Sequence, residues 1–290
     1  MKLADLAKHV NRRGKRRKAS RGRFPSQYER QLRTLIRKIL DKYQRMVNAE
    51  LYNIFEQIQN TPEFKADEDI GDISTLLKRL SSSIANLSDV IKPELFAIGL
   101  SIAQKNQANY TRMIDSTLGV DLFLHEPWLD DFVQSWALQN ADFITSIPAE
   151  LHGDVSRLTY EALRQGVPVD ELQRDIAKQF NLSQGRAKTI ARTETAKLYS
   201  QIDKKRAMED DRDWYYWSTS ADERVRESHK VLNNKLCDYR DPTIYSDDNG
   251  KTWKKRSNIG AFEGDVGEDF NCRCVALVYV EDILEEVEDE

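Results

Sequence analysis

The chain has 290 residues, enough to bury a full hydrophobic core and to divide into two domains. About a third of it is charged, and no apolar run approaches the roughly 20 residues that a bilayer-crossing helix needs, which argues for a soluble, helix-rich protein over a helical membrane protein. The basic start leads into Phe24-Pro25-Ser26-Gln27 instead of an apolar segment, so no secretory signal is expected there. Cys237, Cys272 and Cys274 are the only cysteines, an odd and sparse set that suits a reducing compartment better than a disulfide framework.

In chain order, the first feature is a basic arm over residues 1–24, where Lys8, Arg12, Arg13, Lys15, Arg16, Arg17, Lys18, Arg21 and Arg23 face only Asp5. Like charges in one block repel each other until a partner neutralises them, so the arm reads as an interaction tail. The same holds for the acidic tail over 281–290.

Residues 25–150 read as a helical docking region. Tyr28, Leu32, Leu35, Ile36, Ile39, Tyr43, Met46, Val47, Leu51, Ile54 and Ile58 recur at helical spacing up to a break at Asn60-Thr61-Pro62. A second stripe runs from Ile73 to Ile91, with a kink or a new start expected at Pro93 before Leu95, Ile98 and Ile102 continue it. Trp128 to Ile147 reads as another helix, bounded by Pro127 and Pro148.

Residues 151–280 have a different texture of shorter predicted helices and strands. Gly166 with Pro168 stops one helix, Asp170 and Gln173 form a capping box for the next, and Asn181-Leu182-Ser183 is expected to break it before a helix over 184–208. Trp214-Tyr215-Tyr216-Trp217 is strand-like. Asp248-Asn249-Gly250 reads as a hairpin turn between Thr243-Ile244-Tyr245 and Thr252-Trp253, and Arg273 to Val280 as a last strand. The fold class is therefore α+β: a mainly helical N-terminal part, then a domain of helices with a small antiparallel sheet.

Chemistry-bearing residues concentrate in that second part. Glu194 falls within the apolar stripe Ala187, Ile190, Ala191, Leu198, Ile202, so it either meets a cation in the interior, with Arg224 or Arg226 the candidates, or sits at the stripe's wet edge. Ser220 and Glu223 form another capping-box pattern. A helix starting there would align Asp222, Arg226 and His229 on one face.

The order Ile190-Ala191-Arg192-Thr193-Glu194-Thr195, then the strand with Trp217, then Asp222-Glu223-Arg224-Val225-Arg226 with His229, then Cys272-Arg273-Cys274 resembles the Mu F-like head-morphogenesis family of tailed phages, from about Asp154 onward. Two places depart from the family pattern. Asn233-Asn234 stands where a glycine usually follows the histidine, and Gly264 to Phe270 replaces a proline-containing approach to the cysteines; asparagine tolerates left-handed backbone, so the fold expectation stands. The resemblance implies a low-copy minor capsid protein, not an enzyme, assembled in the host cytoplasm and carried in the virion at the head interior or portal vertex. Its implied partners are the portal protein or the major capsid protein, with a role in DNA packaging or ejection.

Several residues keep two readings. His229, Cys237, Cys272 and Cys274 suit a structural zinc site, or are buried core residues with a hydrogen-bonded histidine; no cofactor is required. Glu194, Asp222 and His229 include the residue types of a metal-dependent hydrolase or nuclease, although no HExxH, Walker A or GxSxG motif accompanies them. A helix-turn-helix over Leu172 to Leu198, with its turn at Phe180 to Gly185, would make a DNA-binding regulator. The basic arm grips packaged duplex DNA, neutralises an acidic portal or scaffold surface, or is a solvated tail. On the DNA reading, about six neutralised phosphates give a log–log salt slope of about −5 in a fluorescence titration with duplex DNA. No binding at low salt rejects that reading.

Overall fold

A computed structural model describes residues 24–60, 66–85, 87–120 and 123–280. The basic arm through Arg23, the Thr61-Pro62 break and the acidic tail lie outside the described residues. Helices α1 (Ser26–Met46), α2 (Tyr52–Asn60), α3 (Ala66–Ala85), α4 (Leu87–Leu118), α5 (Leu129–Gln165) and α6 (Val169–Glu209) precede a five-stranded sheet, so the class is α+β as expected. A π-helical turn, Val47–Leu51, joins α1 to α2. Its cause is legible in the spacing. Buried Tyr43, Val47, Leu51 and Phe55 recur every four residues, a period that drifts by about 40° per step on an α-helix and that a wider turn absorbs.

Two expected helix breaks are corrected, and of the kink or new start expected at Pro93 the new start does not occur. Pro93 lies inside α4, Pro148 inside α5, and Asn181-Leu182-Ser183 inside α6. In each case buried apolar residues flank the breaker on both sides: Ile91 and Leu95, Ile147 and Leu151, Phe180 and Ala187. Burial of a continuous stripe outweighs one lost backbone hydrogen bond or a run of poor helix formers. Without a turn at 180–185 there is no helix-turn-helix. Gly166 does end α5, at φ +67, and Val167 N–H reaches back to the Ala162 carbonyl in a Schellman closure. The Pro168 carbonyl then accepts from the Glu171 and Leu172 N–H groups, so Asp170 lies in the first turn of α6 and not at its cap.

The chain forms two compact units, each drawn from separated stretches, and the expected boundary at 150/151 falls within α5. One unit, Arg30–Ile98 with Gln134–Ala191, is helical, and in its core Tyr43 packs on Phe180 while its hydroxyl shares a hydrogen bond with His152 Nδ1 at 2.7 Å. The other, among the described residues, combines residues 24–29, 99–120, 123–133 and 192–280 and contains the sheet.

The sheet consists of β1 (Trp214–Ser218), β2 (Leu236–Asp238), β3 (Ile244–Ser246), β4 (Lys254–Lys255) and β5 (Val275–Val278), in the order β4-β3-β2-β1-β5 with every pair antiparallel. Alternation along β1 sends Tyr215 and Trp217 inward to Leu232, Cys237, Tyr239, Tyr245 and Val266. The β3–β4 turn has Asn249 and Gly250 at positive φ, as the Asn-Gly pair predicts, but the second strand starts at Lys254, beyond Thr252-Trp253. A Cβ on Gly250 would lie 2.9 Å from the Trp214 ring.

In the sheet-containing unit, the end of α6 carries a buried charge network. The Arg206 guanidinium holds both Glu126 oxygens, at 2.6 and 3.0 Å, donates to Asn106, and lies 4.7 Å over the Tyr110 ring. Asp203 accepts from Asn106 Nδ2 at 2.8 Å, yet burial outweighs the pull of Arg206 and raises its carboxyl to about 7. Between about pH 4 and pH 7 the unfolded chain has released this proton while the folded chain retains it, so the Asp203 contribution to stability falls as pH rises and levels off above 7. Urea unfolding at pH 5 and pH 8 is expected to show Asp203→Asn gaining on the parent protein at the higher pH, by on the order of 1 kcal/mol or more. A pH-independent difference would contradict this.

Candidate functional site

Within the sheet-containing unit, α6 joins the rest of the ordered series through the loop before the cysteines. Arg192 forks onto Glu29 at 3.0 and 3.2 Å and donates to Asn271 Oδ1 at 2.9 Å. Asn271 has left-handed backbone and returns its own N–H to Thr193 Oγ1 at 2.9 Å. One turn of helix thereby clamps the loop that leads to the cysteines. Further along α6, Ser200 donates to the Val266 carbonyl, and a Cβ on Gly267, at φ +83, would come within 2.9 Å of the Ala196 carbonyl oxygen. Only glycine permits that approach. Glu194 does not meet Arg224 or Arg226. Its partner is Lys197 on the same helix, at 3.2 Å, and at 13% side-chain exposure it is neither sealed in the core nor free in solvent.

The segment after β1 corrects a second expectation. Ala221 adopts left-handed backbone and Asp222 accepts from the Arg224 N–H, so residues 221–226 form turns, and only Glu227–Lys230, α7, is helical. Asp222, Arg226 and His229 therefore do not share a helical face. Asp222 takes both Arg273 nitrogens, at 2.7 and 2.8 Å, which holds its carboxyl below the usual range, with Arg224 as a peripheral partner at 3.4 Å. Arg226 and His229 meet instead through one atom, Asp269 Oδ2, at 3.0 and 2.9 Å, while Arg226 also donates to the Phe270 carbonyl.

A carboxylate oxygen only accepts, so His229 carries a proton on Nε2, and in the neutral ring Nδ1 presents its lone pair to the opposite side. There it faces Cys272 Sγ at 3.6 Å and Cys274 Sγ at 3.5 Å. All three residues are buried, at 2%, 3% and 4% exposure. A hydrogen bond from the Cys274 thiol lowers the Cys272 pKa, and Cys274, as the donor, is held above the ordinary range. Cys237 does not join them. The β1–β2 register sets it opposite Tyr215 in the sheet core, where burial raises its thiol to about 11.

Glu29, Asp269 and Asn271 were absent from the candidates read from sequence, and Arg273 entered only as the middle of Cys272-Arg273-Cys274, with no role of its own. Asp269 and Asn271 sit in a loop whose composition carries no motif, and Glu29 is far away in the chain. Asn233 and Asn234 behave as expected: Asn234 takes positive φ, and the Asn233 side chain accepts from the Thr219 N–H and hydroxyl.

Residues 153–277 match the family model Phage Mu protein F like protein. The Mu F-like segment thus covers α6, the sheet and the histidine–cysteine cluster, in the region where the residue series pointed. An uncharacterised protein of Haemophilus influenzae is 28% identical over 180 residues, 60% of this chain and 36% of that protein, so this chain spans about a third of its relative's length. No solved structure matches the chain.

Removing Arg192 strands Glu29, which is 6% exposed, inside the Mu F-like clamp. Arg192→Ala is expected to cost about 3 kcal/mol in urea unfolding, and Arg192→Lys to recover only part of it, because an ammonium cannot form the two-pronged contact. Equal stability of the two variants would contradict the clamp.

Proposed function

We propose that this protein is a minor head-morphogenesis protein of a tailed bacteriophage, present in few copies and docked on the portal at the head interior, with an architectural role. The observation that carries the reading is that the Mu F-like residue series is spent on cross-links. Arg192, Asp222, Arg226, His229 and Asp269 each bind another part of the same unit, tying α6, the histidine turn and the cysteine loop together. The acids that a hydrolase would use are engaged in the same way: Glu194 by Lys197 and Asp222 by Arg273. The major capsid protein is the alternative docking partner. The basic arm supplies the charge for contact with packaged double-stranded DNA during packaging or ejection.

The test is recovery of the protein with portal rings purified from assembling heads, at a fixed ratio well below that of the major capsid protein. Arg192→Ala and Asp269→Asn are expected to reduce that ratio several-fold, and deleting the basic arm to leave it unchanged while lowering packaged DNA. Recovery with major capsid shells alone moves the docking partner; absence from heads of every kind defeats the proposal.

A further inference from the structure

We propose that His229 Nδ1, Cys272 Sγ and Cys274 Sγ hold one zinc ion, with Asp269 as the group that orients the histidine. The inference is independent of any role in head assembly. Donor chemistry favours it, since one imidazole and two thiols are a borderline-soft set suited to zinc. Geometry agrees. With Zn–N of about 2.0–2.1 Å and Zn–S of about 2.3 Å, tetrahedral angles separate nitrogen from sulfur by about 3.6 Å. The two separations are 3.6 and 3.5 Å, and the three donor atoms lie within 4.8 Å of one another.

The surroundings supply what a metal-bound histidine and thiolates need. Asp269 takes the Nε2 proton, which fixes the tautomer and aims Nδ1 at the sulfurs, the usual carboxylate–histidine–metal relay. Trp217 Nε1–H is buried without a hydrogen-bond partner and lies beside Cys274, so a thiolate there gives the stranded donor an acceptor. The rings of Trp217 and Phe262 flank the imidazole at 5.4 and 5.1 Å and hold it in place.

On binding, two S–H bonds break, two Zn–S bonds form, and two protons leave to solvent; no electrons are transferred. These residues supply three of the four positions of a tetrahedral zinc site. Because the ligands are almost wholly buried, the ion ties α7 to the approach to β5 as a structural staple.

Full-length protein purified under reducing conditions and stripped with a chelator is titrated with Zn²⁺ and, separately, with Co²⁺ followed by absorbance. Expected are one equivalent of either ion, a thiolate-to-cobalt charge-transfer band with intense tetrahedral d–d bands, and proton release. Asp269→Asn is expected to weaken binding by about 10–100-fold. Cys237→Ala retains full stoichiometry, and Cys272→Ala loses the charge-transfer intensity. Should Cys272→Ala fail to fold, the parent cobalt spectrum and Asp269→Asn still decide. Substoichiometric metal with no charge-transfer band, loss of binding in Cys237→Ala, or a Cys272–Cys274 disulfide in the reduced preparation overturns the proposal.

Discussion

One carboxylate oxygen, Oδ2 of Asp269, stands between Arg226 and His229, and much of the Mu F-like segment is arranged around it. It sets which imidazole nitrogen is protonated, and thus which faces the two sulfurs. It also draws the loop before the cysteines against α7, from where Asn271 reaches across to α6. Arg226 is exposed and its ion pair with Asp269 contributes little, but His229 is buried, so its contact with the same oxygen is shielded from water. The orientation of the ring, the position of the loop and the convergence of the cysteines follow from the same contact.

Buried charge recurs through this unit, and each instance has its compensation. Arg206 has Glu126, Asn106 and the face of Tyr110. Arg256, wholly buried, donates from Nε to the Ile244 carbonyl and from Nη1 to the Phe262 and Gly264 carbonyls, and lies over the Trp217 ring, while its Nη2 has no hydrogen-bond partner among the described residues. Arg206 binds side chains from another helix and loop, whereas Arg256 anchors an irregular loop whose carbonyls would otherwise lack partners in the interior. Planar guanidinium groups suit this task because several donors leave one rigid plane in different directions. The result is a small sheet with short strands whose long connections are held by side chains, more than by backbone ladders.

Sequence and structure agree where the signal is a periodic face or a required backbone conformation, and disagree over helix starts and breaks. The stripe from Leu32 to Ile58, the strand at Trp214–Ser218 and the turn at Asn249-Gly250 are all present, since each is a face or a backbone requirement that neighbouring residues state directly. Pro93, Pro148 and Asn181-Leu182-Ser183 are poor helix residues, and each lies within a helix. Helix-breaking preferences of a few residues compete with burial summed along a stripe, and the stripe is the larger quantity. At Ser220 the opposite happened: a capping-box pattern lost to a left-handed Ala221, because Asp222 is drawn off to Arg273.

The amino-acid order by itself determined the α+β class, the amphipathic faces, the two Asn-based left-handed turns and the set of residues that bear the Mu F-like pattern, because these depend on neighbours within a turn or a strand. Only the tertiary structure decided who meets whom. It gave Glu29 to Arg192 across 163 positions, Asp269 to His229 across 40, and Cys272 and Cys274 to the histidine while leaving Cys237 in the sheet core. Such pairings are settled by how helices and loops pack, and a charge or a thiol in a sequence carries no mark of the distant partner that packing will bring to it.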